Sequence, residues 1–258
     1  MDLGLQGKTA LVSGSTAGIG LAIATALARE GAAVIVNGRT QERVDRAIVS
    51  SGAAHGVAAD LGTEAGARAV IERFPEADIL VNNLGIFEPK PFEEIPDDDW
   101  RRFFEMNVLS GVRLSRHYIG PMRRRNWGRI VFISSESGLQ IPKEMIHYGM
   151  TKTAQIAVAR GLAETTAGTG VTVNTVLPGP TRSEGVVEFV GKLASAKGVD
   201  QAAIEREFFT TARPTSLLRR FATPEEVAAV VAFVCSPLAS AINGSAVRAE
   251  GGIVQSIA

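Results

Sequence analysis

The chain has 258 residues, of which 45% are hydrophobic and only 6% aromatic, and it carries 27 basic and 27 acidic side chains. This length suits one large α/β domain or two small ones, and the excess of small aliphatic residues suits helices packed on a buried parallel sheet. A formal net charge of zero gives no electrostatic reason to expect a nucleic acid or a membrane as partner. The first residues lack the basic and apolar stretches of a signal peptide, so we expect a cytoplasmic protein.

Seven short aliphatic runs are predicted as strands, and they alternate with six segments of helical period. The predicted strands are 9–13, 33–37, 55–59, 78–82, 129–134, 171–176 and 245–248. The predicted helices are 19–30, 41–50, 63–74, 97–125, 148–166 and 223–235. This alternation predicts a doubly wound (Rossmann) α/β fold, with a mainly parallel seven-stranded sheet and helices on both faces. Because no linker or repeat interrupts it, residues 1–258 are predicted to form a single domain.

The least regular stretch, at about 179–218, is predicted to hold one or two short helices. It is either a lid over a ligand crevice or an ordinary surface excursion. Cys235 ends an apolar run and is expected to be buried rather than reactive. The three histidines, His55, His117 and His147, are scattered, so no metal site is expected.

The first strand leads through Ser13-Gly14-Ser15-Thr16-Ala17-Gly18-Ile19-Gly20 directly into a helix. Glycines let the backbone approach a pyrophosphate, and the helix N-terminus supplies free N–H groups. Sharp strand-to-helix turns also need glycine for steric reasons, so the turn alone is weak evidence. Nucleotide contacts are predicted for residues 14–16 and 18–20, namely Gly14, Ser15, Thr16, Gly18, Ile19 and Gly20.

Four motifs in order resemble those of the short-chain dehydrogenase/reductase family, and they span nearly the whole chain. The turn is similar to the family's Thr-Gly-x-x-x-Gly-x-Gly, with Ser13 replacing the threonine. Asn82-Asn83-Leu84-Gly85 is similar to Asn-Asn-Ala-Gly, with Leu84 replacing the alanine. Tyr148 and Lys152 match Tyr-x-x-x-Lys, and Pro178-Gly179 matches a Pro-Gly after strand six. The chain resembles the single-domain branch that includes 3-oxoacyl-[acyl-carrier-protein] reductases.

The end of strand two, Asn37-Gly38-Arg39-Thr40, holds no carboxylate for a ribose 2′-hydroxyl. Arg39 can instead pair with a 2′-phosphate, while Asn37 and Thr40 offer uncharged hydrogen-bonding groups, so NADP is predicted and NAD stays possible. The alternative is that Arg39 only solvates a turn. The family resemblance adds further cofactor contacts, at Asp60, Leu61, Asn83, Gly85, Tyr148, Lys152, Pro178, Gly179 and Thr181.

Tyr148 and Lys152 are four residues apart in a predicted helix and share one face. The ammonium is expected to lower the pKa of the phenol, ordinarily about 10. Ser135, at the end of strand five, can hold a substrate oxygen beside the phenol. The resemblance implies that Tyr148 passes a proton while a nicotinamide passes a hydride, that Lys152 orients the nicotinamide ribose, and that Asn107 holds a water linked to the lysine. Without the other motifs, Tyr148 and Lys152 would be interpreted as a structural pair, and Asn107 as a polar residue that interrupts the apolar pattern of a helix.

The substrate is expected at Ser135, Glu136, Met145 and Tyr148, although Glu136 also fits a surface charge. The predicted activity is NADP-dependent reduction of a ketone or 3-oxoacyl substrate to a secondary alcohol. The alternatives are an NAD-dependent alcohol or sugar dehydrogenase and a non-catalytic nucleotide-sensing protein. The resemblance implies a homotetramer. The basic cluster at 123–125 and 129 fits either an acyl carrier protein or a solvated helix end.

Overall fold

The computed structural model describes residues 2–257, without the side chain of Phe189. Seven strands form one sheet in the order β3-β2-β1-β4-β5-β6-β7, and every neighbouring pair is parallel, as predicted. They are β1 (Thr9–Val12), β2 (Ala33–Gly38), β3 (His55–Ala58), β4 (Ile79–Asn82), β5 (Gly128–Ile133), β6 (Val171–Pro178) and β7 (Ala246–Ala249). The strand order reverses between β1 and β4, and such a switch point opens a crevice at the carboxyl ends of the strands.

Nine α-helices occur in the part of the chain that the structure describes. They are α1 (Gly18–Arg29), α2 (Gln41–Ser51), α3 (Glu64–Arg73), α4 (Asp97–Phe104), α5 (Ser110–Arg124), α6 (Ile146–Glu164), α7 (Glu184–Lys197), α8 (Gln201–Thr211) and α9 (Pro224–Cys235). Helices α1, α2 and α9 cover one face of the sheet, and α3, α5 and α6 cover the other. Strand side chains alternate between these faces: Val34 and Val36 pack on the first, Ile35 on the second. Both faces are therefore buried, which accounts for the aliphatic strands.

The predicted helix 97–125 is not one continuous α-helix. Between α4 and α5, residues Glu105–Leu109 form a π-helical turn, with Asn107 inside it. A π turn accommodates an extra residue and re-aims the side chains that follow, and such turns often occur at functional sites. The period of the sequence does not distinguish this turn from an ordinary helix, so the prediction of a single helix was wrong here.

The irregular stretch contains two helices, α7 and α8, which pack through a small separate cluster of apolar side chains. The start of α7 reaches the glycine turn, since a Cβ added at Gly18 would lie 3.4 Å from Ser183 Cβ. At the other end of this stretch, Arg213 follows α8 and forms an ion pair with Glu136, which comes shortly after β5. The stretch thus spans the crevice from β1 to β5.

Cys235 is buried as predicted, and burial raises the pKa of its thiol to about 12. Among residues 2–257 no group of three or more His, Cys, Asp or Glu side chains is placed to hold a metal ion. None of the helices within that range is both long and apolar enough to cross a membrane.

Candidate active site

A cavity of about 540 Å³ lies at the carboxyl edge of the sheet, between the ends of β4, β5 and β6 and helices α7 and α8. Eleven of the predicted site residues line it: Ile19, Asn83, Gly85, Ser135, Glu136, Met145, Tyr148, Lys152, Pro178, Gly179 and Thr181. The other predicted nucleotide residues lie beside it, around the ends of β1, β2 and β3: Gly14, Ser15, Thr16, Gly18, Gly20, Asn37, Arg39, Thr40, Asp60 and Leu61. Residues far apart in the chain therefore meet because the carboxyl ends of parallel strands share one edge.

Helix α6 begins at Ile146, so Tyr148 stands in its first turn and Lys152 one turn later, on the same face. The Lys152 Nζ atom lies 5.5 Å from the centroid of the Tyr148 ring. Ser135 lies two residues after the end of β5 and lines the same cavity. The hydroxyl of its neighbour Ser134 donates instead to the Lys152 carbonyl at 2.8 Å, and so braces α6 against β5.

The phenol of Tyr148 is less acidic than the sequence analysis expected. Burial is the main cause that raises its pKa above the usual 10, and the Glu136 carboxylate raises it further. The Ser135 hydroxyl and the Arg213 guanidinium lower it by less. The expectation that Lys152 makes this phenol acidic was wrong for the protein by itself, because the ammonium is directed elsewhere. At neutral pH the phenol is therefore protonated, which is the form that a proton donor needs.

Lys152 is buried and its Nζ donates to the carbonyl of Ile133 at 3.0 Å and to Gln155 Oε1 at 3.1 Å. Burial lowers the pKa of its ammonium to about 8. Gln155 in turn donates to the main-chain carbonyl of Asn107 at 2.6 Å. The lysine is thus held to the end of β5 on one side and tied to the π turn on the other.

Asn107 is buried and stands behind the cavity rather than on its wall. Its amide nitrogen donates to the Ile86 carbonyl at 3.0 Å and to Thr151 Oγ1 at 2.9 Å. Its amide oxygen accepts from the Ile86 nitrogen at 2.7 Å. This side chain therefore fastens the segment after β4 to α6, next to Tyr148 and Lys152. Gln155 was not recognised in the sequence, although its spacing of three from Lys152 on one helix is a usable signal.

The glycine turn fits a bound pyrophosphate. Helix α1 starts without a side-chain cap, since its N-cap residue is Ala17, so its first N–H groups point into the crevice unpartnered by any side chain that the structure describes. Gly18 has φ +55°, a left-handed conformation that favours glycine. A Cβ added at Gly85 would lie 3.4 Å from Lys152 Nζ, so the absence of a side chain at Gly85 leaves space next to this ammonium.

Three predicted nucleotide contacts turn out to be structural. The Asn37 side chain is buried; it accepts from the Gly14 nitrogen at 3.1 Å and donates to the carbonyls of Val57 and Ala59. The Ser15 hydroxyl is also buried and bonded to Val12 and Asn37. The side chain of Leu61 packs in the core. The side chains of Asn37 and Ser15 therefore shape the turn. The expectation that the Asn37 side chain offers hydrogen bonds to the nucleotide was wrong, whereas Ser15 was predicted to contact it only as a residue of the turn.

Arg39 and Thr40 are exposed, and neither side chain has a hydrogen bond or ion pair with another described residue. Asp60 is also exposed, and its Oδ1 accepts from the Gly62 nitrogen at 3.0 Å. Thr181 donates its hydroxyl to the Gly179 carbonyl at 2.9 Å. A free guanidinium beside a free hydroxyl is a suitable arrangement for a phosphate monoester.

A buried charge cluster borders the substrate side of the cavity. The Ser135 hydroxyl donates to Glu136, and Arg213 Nε lies 3.0 Å from the other oxygen of that carboxylate. Arg213 Nη1 lies 3.1 Å from Glu144 Oε1. The side chains of Glu136 and Arg213 are only 6% and 11% exposed, so the reading of Glu136 as a surface charge was wrong. We call these three residues the Glu136–Arg213–Glu144 cluster.

The rest of the substrate side is apolar, contributed mainly by α7 and α8. Its lining side chains are Val186, Val190, Leu193, Ile204, Phe208 and Phe221. Neither these nor Arg213 was singled out in the sequence, because they belong to the irregular stretch and are brought to the site only by the tertiary fold. No spacing rule connects Arg213 with Glu136, 77 residues earlier.

A family model described as enoyl-(acyl carrier protein) reductase matches residues 14–254. The chain is 51% identical to an uncharacterised oxidoreductase, YvaG of Bacillus subtilis, with 100% of both chains covered. It is 35% identical to the 3-oxoacyl-[acyl-carrier-protein] reductase FabG of Aquifex aeolicus, over 98% of this chain and all of that one. These matches decide the family. The chain belongs to the short-chain dehydrogenase/reductase family, and it is an oxidoreductase of that family.

Solved structures of the family agree with this fold. L-Sorbose reductase from Gluconobacter frateurii, crystallised with NADPH and L-sorbose, superposes with a TM-score of 0.93 at 32% identity, over 100% of both chains. The family resemblance and the doubly wound α/β fold predicted from the sequence are thereby confirmed.

The basic cluster does not form the surface that the sequence suggested. Arg129 is buried, with its guanidinium donating to Ser236, Gly128, Gly170 and Ser240. Arg123 and Arg124 are exposed at the end of α5, which lies at the amino edge of the sheet. The six residues of β5, roughly 20 Å of strand, separate them from the cavity at the opposite edge. A carrier protein docked there would face away from the site.

Proposed function

We propose that this protein reduces a ketone or 3-oxoacyl substrate to a secondary alcohol with NADPH as the hydride donor. The observation that carries the proposal is that Ser135, Tyr148 and Lys152 line one cavity, which also reaches Ile19 of the glycine turn. A binding protein that only senses nucleotides needs no buried proton donor at such a place, and this disfavours the non-catalytic alternative.

The choice of NADP rests on the end of β2. No carboxylate stands there, and the free Arg39 and Thr40 side chains suit a 2′-phosphate. The L-sorbose reductase of similar fold was crystallised with NADPH, which supports the same choice here. The glycine turn and the start of α1 would hold the pyrophosphate, and Lys152, facing the space left by Gly85, would hold the nicotinamide ribose.

When bound, the nicotinamide supplies the hydride for the carbonyl carbon. Tyr148 donates a hydrogen bond and then its proton to the carbonyl oxygen, and its raised pKa keeps that proton in place until the oxygen becomes basic. Ser135 lines the cavity beside the same oxygen, and its hydroxyl would have to turn from Glu136 to donate to it. Lys152, whose ammonium lies 5.5 Å from the centre of the Tyr148 ring and is held by Ile133 and Gln155, would orient the nicotinamide ribose beside that ring. Asn107 ties the π turn to Ile86 and to Thr151 of α6, and so fixes the position of α6 and of its residues Tyr148 and Lys152 at the cavity.

Two substrate classes have support from named relatives. The 35% identity to a 3-oxoacyl-[acyl-carrier-protein] reductase favours 3-oxoacyl groups, and the apolar wall of α7 and α8 suits an acyl chain. The likeness to L-sorbose reductase favours a sugar ketone as the second candidate. We do not propose a carrier-protein site at Arg123 and Arg124, because they lie at the wrong edge of the sheet. A lid role for residues 179–218 is consistent with α7 and α8 lining the cavity.

A homotetramer remains a proposal from the family resemblance. Large apolar side chains stay exposed in the described chain, among them Leu217 at 83% and Leu238 at 55%, and an interface between subunits would cover such groups. Light scattering coupled to gel filtration gives the mass, and a monomer of 27.2 kDa would overturn this part.

The deciding experiment measures oxidation of NADPH and of NADH against a panel of simple ketones, sugar ketones, 3-oxo esters and 3-oxoacyl thioesters. We expect turnover with at least one ketone class and a higher kcat/KM with NADPH. Preference for NADH would favour the NAD-dependent alternative. Tight nucleotide binding without turnover of any ketone, or of any alcohol in reverse, would favour the nucleotide-sensing alternative.

A further inference from the structure

The Glu136–Arg213–Glu144 cluster has no assigned task in ketone reduction as described above. Three ionised groups are assembled next to Ser135, and two of them are almost completely withdrawn from water. Burying charges costs free energy even when they are paired. A cluster placed at the reacting end of a substrate cavity therefore calls for a functional reason.

Two of the three guanidinium nitrogens of Arg213 are already bound within the protein, and its charge is opposed by two carboxylates. Its Nε is bound by Glu136, and its Nη1 by Glu144 and by the Ala212 carbonyl. One guanidinium thus faces two carboxylates, and the cluster carries a net charge of −1. Of the other charged residues on the cavity wall, Lys197 and Glu207 are bonded to each other. The ammonium of Lys152 balances the charge of the wall as a whole, but it donates to Ile133 and Gln155 and faces the space beside Gly85, on the proposed nucleotide side.

The phenol of Tyr148 reports the electrostatic potential at the place where the carbonyl oxygen would sit. Its pKa is raised first by burial and then by Glu136, and the opposing effect of Arg213 is smaller. A second anion close to this point would meet the same repulsion. The apolar side chains that α7 and α8 contribute to the wall, among them Val190 and Phe208, offer an anion no hydrogen bonds.

We propose that the Glu136–Arg213–Glu144 cluster makes this enzyme selective for uncharged ketones and excludes substrates that carry a carboxylate next to the reacting carbonyl. The inference rests on the proposed ketone reduction and names its substrate class: a 3-oxo ester, a thioester or a simple ketone is accepted, and the corresponding 3-oxo acid is rejected. Glu136 has a second, positioning effect, because it accepts a hydrogen bond from the Ser135 hydroxyl and so fixes the direction of that hydroxyl.

The test compares two substrates that differ in one charge. The best 3-oxo ester of the panel and its free 3-oxo acid, for example ethyl acetoacetate and acetoacetate, are assayed with NADPH at pH 7. We expect the ester to have a kcat/KM roughly tenfold or more above that of the acid, as repulsion between like charges in a partly dry site predicts. The ratio is used rather than the rate, since Glu136 also orients Ser135.

Glu136→Gln and Glu144→Gln each remove one negative charge and keep the shape of the side chain. Each should lower the ester-to-acid ratio by roughly tenfold, and the double variant should lower it further. Glu64→Gln is the matched control, because Glu64 forms an exposed ion pair with Arg68 at 3.1 Å and does not line the cavity. Its ratio should equal that of the unmodified enzyme.

Thermal unfolding and NADPH binding are measured for every variant. If Glu136→Gln does not fold, Glu144→Gln carries the test, since the Glu144 side chain is 42% exposed and tolerates substitution better. Equal kcat/KM for ester and acid in the unmodified enzyme, or an unchanged ratio in a folded variant, would overturn the selectivity while leaving ketone reduction intact. Failure to reduce any ketone in the panel would overturn both.

Discussion

Polar groups at the two edges of the sheet differ in whether the protein itself supplies their hydrogen-bond partners. At the amino edge, Arg129 is bound by main-chain carbonyls and by Ser240, and Asp78 accepts from the Thr9 nitrogen and pairs with Arg125. At the carboxyl edge, α1 begins without a cap and Lys152 keeps a buried charge beside an open cavity. At the amino edge the protein itself supplies the partners of Arg129 and Asp78, whereas at the carboxyl edge the start of α1 and the open side of Lys152 are left for ligands.

This difference indicates where each kind of substitution should act. Removing a polar group at the amino edge leaves its partners unsatisfied in the folded protein and therefore lowers stability. Removing one at the carboxyl edge removes a ligand contact and therefore lowers binding or turnover. The expected outcomes below test this separation, beginning with the largest effect.

Tyr148→Phe should lower turnover by roughly 10²–10⁴-fold, because the proposed proton donor to the carbonyl oxygen is lost, while NADPH still binds. The chain contains one other tyrosine, Tyr118, whose hydroxyl donates to the Phe74 carbonyl inside the core. Tyr118→Phe should keep turnover and lose about 1 kcal/mol of stability. Steady-state kinetics and urea unfolding of both variants distinguish the two roles; unchanged turnover in Tyr148→Phe would refute ours for this residue.

Arg129→Met should lower the free energy of unfolding by about 3 kcal/mol, since four oxygen acceptors lose their donor in a buried place. NADPH affinity should stay within about twofold, because Arg129 lies at the amino edge. Arg68→Met, at an exposed ion pair, should cost less than about 1 kcal/mol. Chemical denaturation measures all three proteins, and equal losses for the two variants would contradict the structural role of Arg129.

Arg39→Ala should weaken NADPH binding by roughly 10–100-fold, the value of a hydrogen bond between charged groups, and leave NADH binding nearly unchanged. Arg46→Ala on α2 serves as control, because Arg46 already pairs with Glu42 at 3.6 Å. Fluorescence titration gives both dissociation constants. A parallel loss for the two nucleotides would mean that Arg39 contacts no 2′-phosphate.

Lys152 should make stability depend on pH. Its pKa in the folded protein is lowered to about 8, below that of an unfolded lysine, so the unfolded chain binds more protons between these values and stability rises with pH there. From pH 7 to pH 9 the gain should be about 1.4 kcal/mol, and it should be missing in Lys152→Met. Urea unfolding at both pH values tests this; identical pH slopes for the two proteins would show that Lys152 is not the cause.

The smallest effect compares two helix N-termini. Thr223 caps α9 in a reciprocal capping box with Glu226, whereas Thr40 precedes α2 without a side-chain cap bond. Thr223→Ala should cost about 1 kcal/mol of stability, and Thr40→Ala only a few tenths. Thr40→Ala should instead weaken NADPH binding. Should Thr40→Ala prove as destabilising as Thr223→Ala, its hydroxyl would have a structural role.

The order of strands and helices followed from the sequence, because hydrophobic period, glycine turns and caps are local signals. The motif residues Ser135, Tyr148 and Lys152 were also placed correctly in one cavity, since strand ends of a parallel sheet must meet. The π turn at Asn107 escaped detection, because one extra residue in a helix barely disturbs its period.

What the sequence by itself determined was the doubly wound sheet, the glycine turn and the phenol–ammonium pair on one helix face. Only the tertiary structure decided which polar side chains bind other parts of the protein and are therefore not free for a ligand. These are Asn37 and Ser15 inside the turn, Arg129 at the amino edge, and Arg213, which pairs with Glu136. The tertiary structure also raised rather than lowered the pKa of Tyr148. The burial of a side chain and its hydrogen-bond partners depend on residues that are distant in the chain, so no local sequence pattern predicts them.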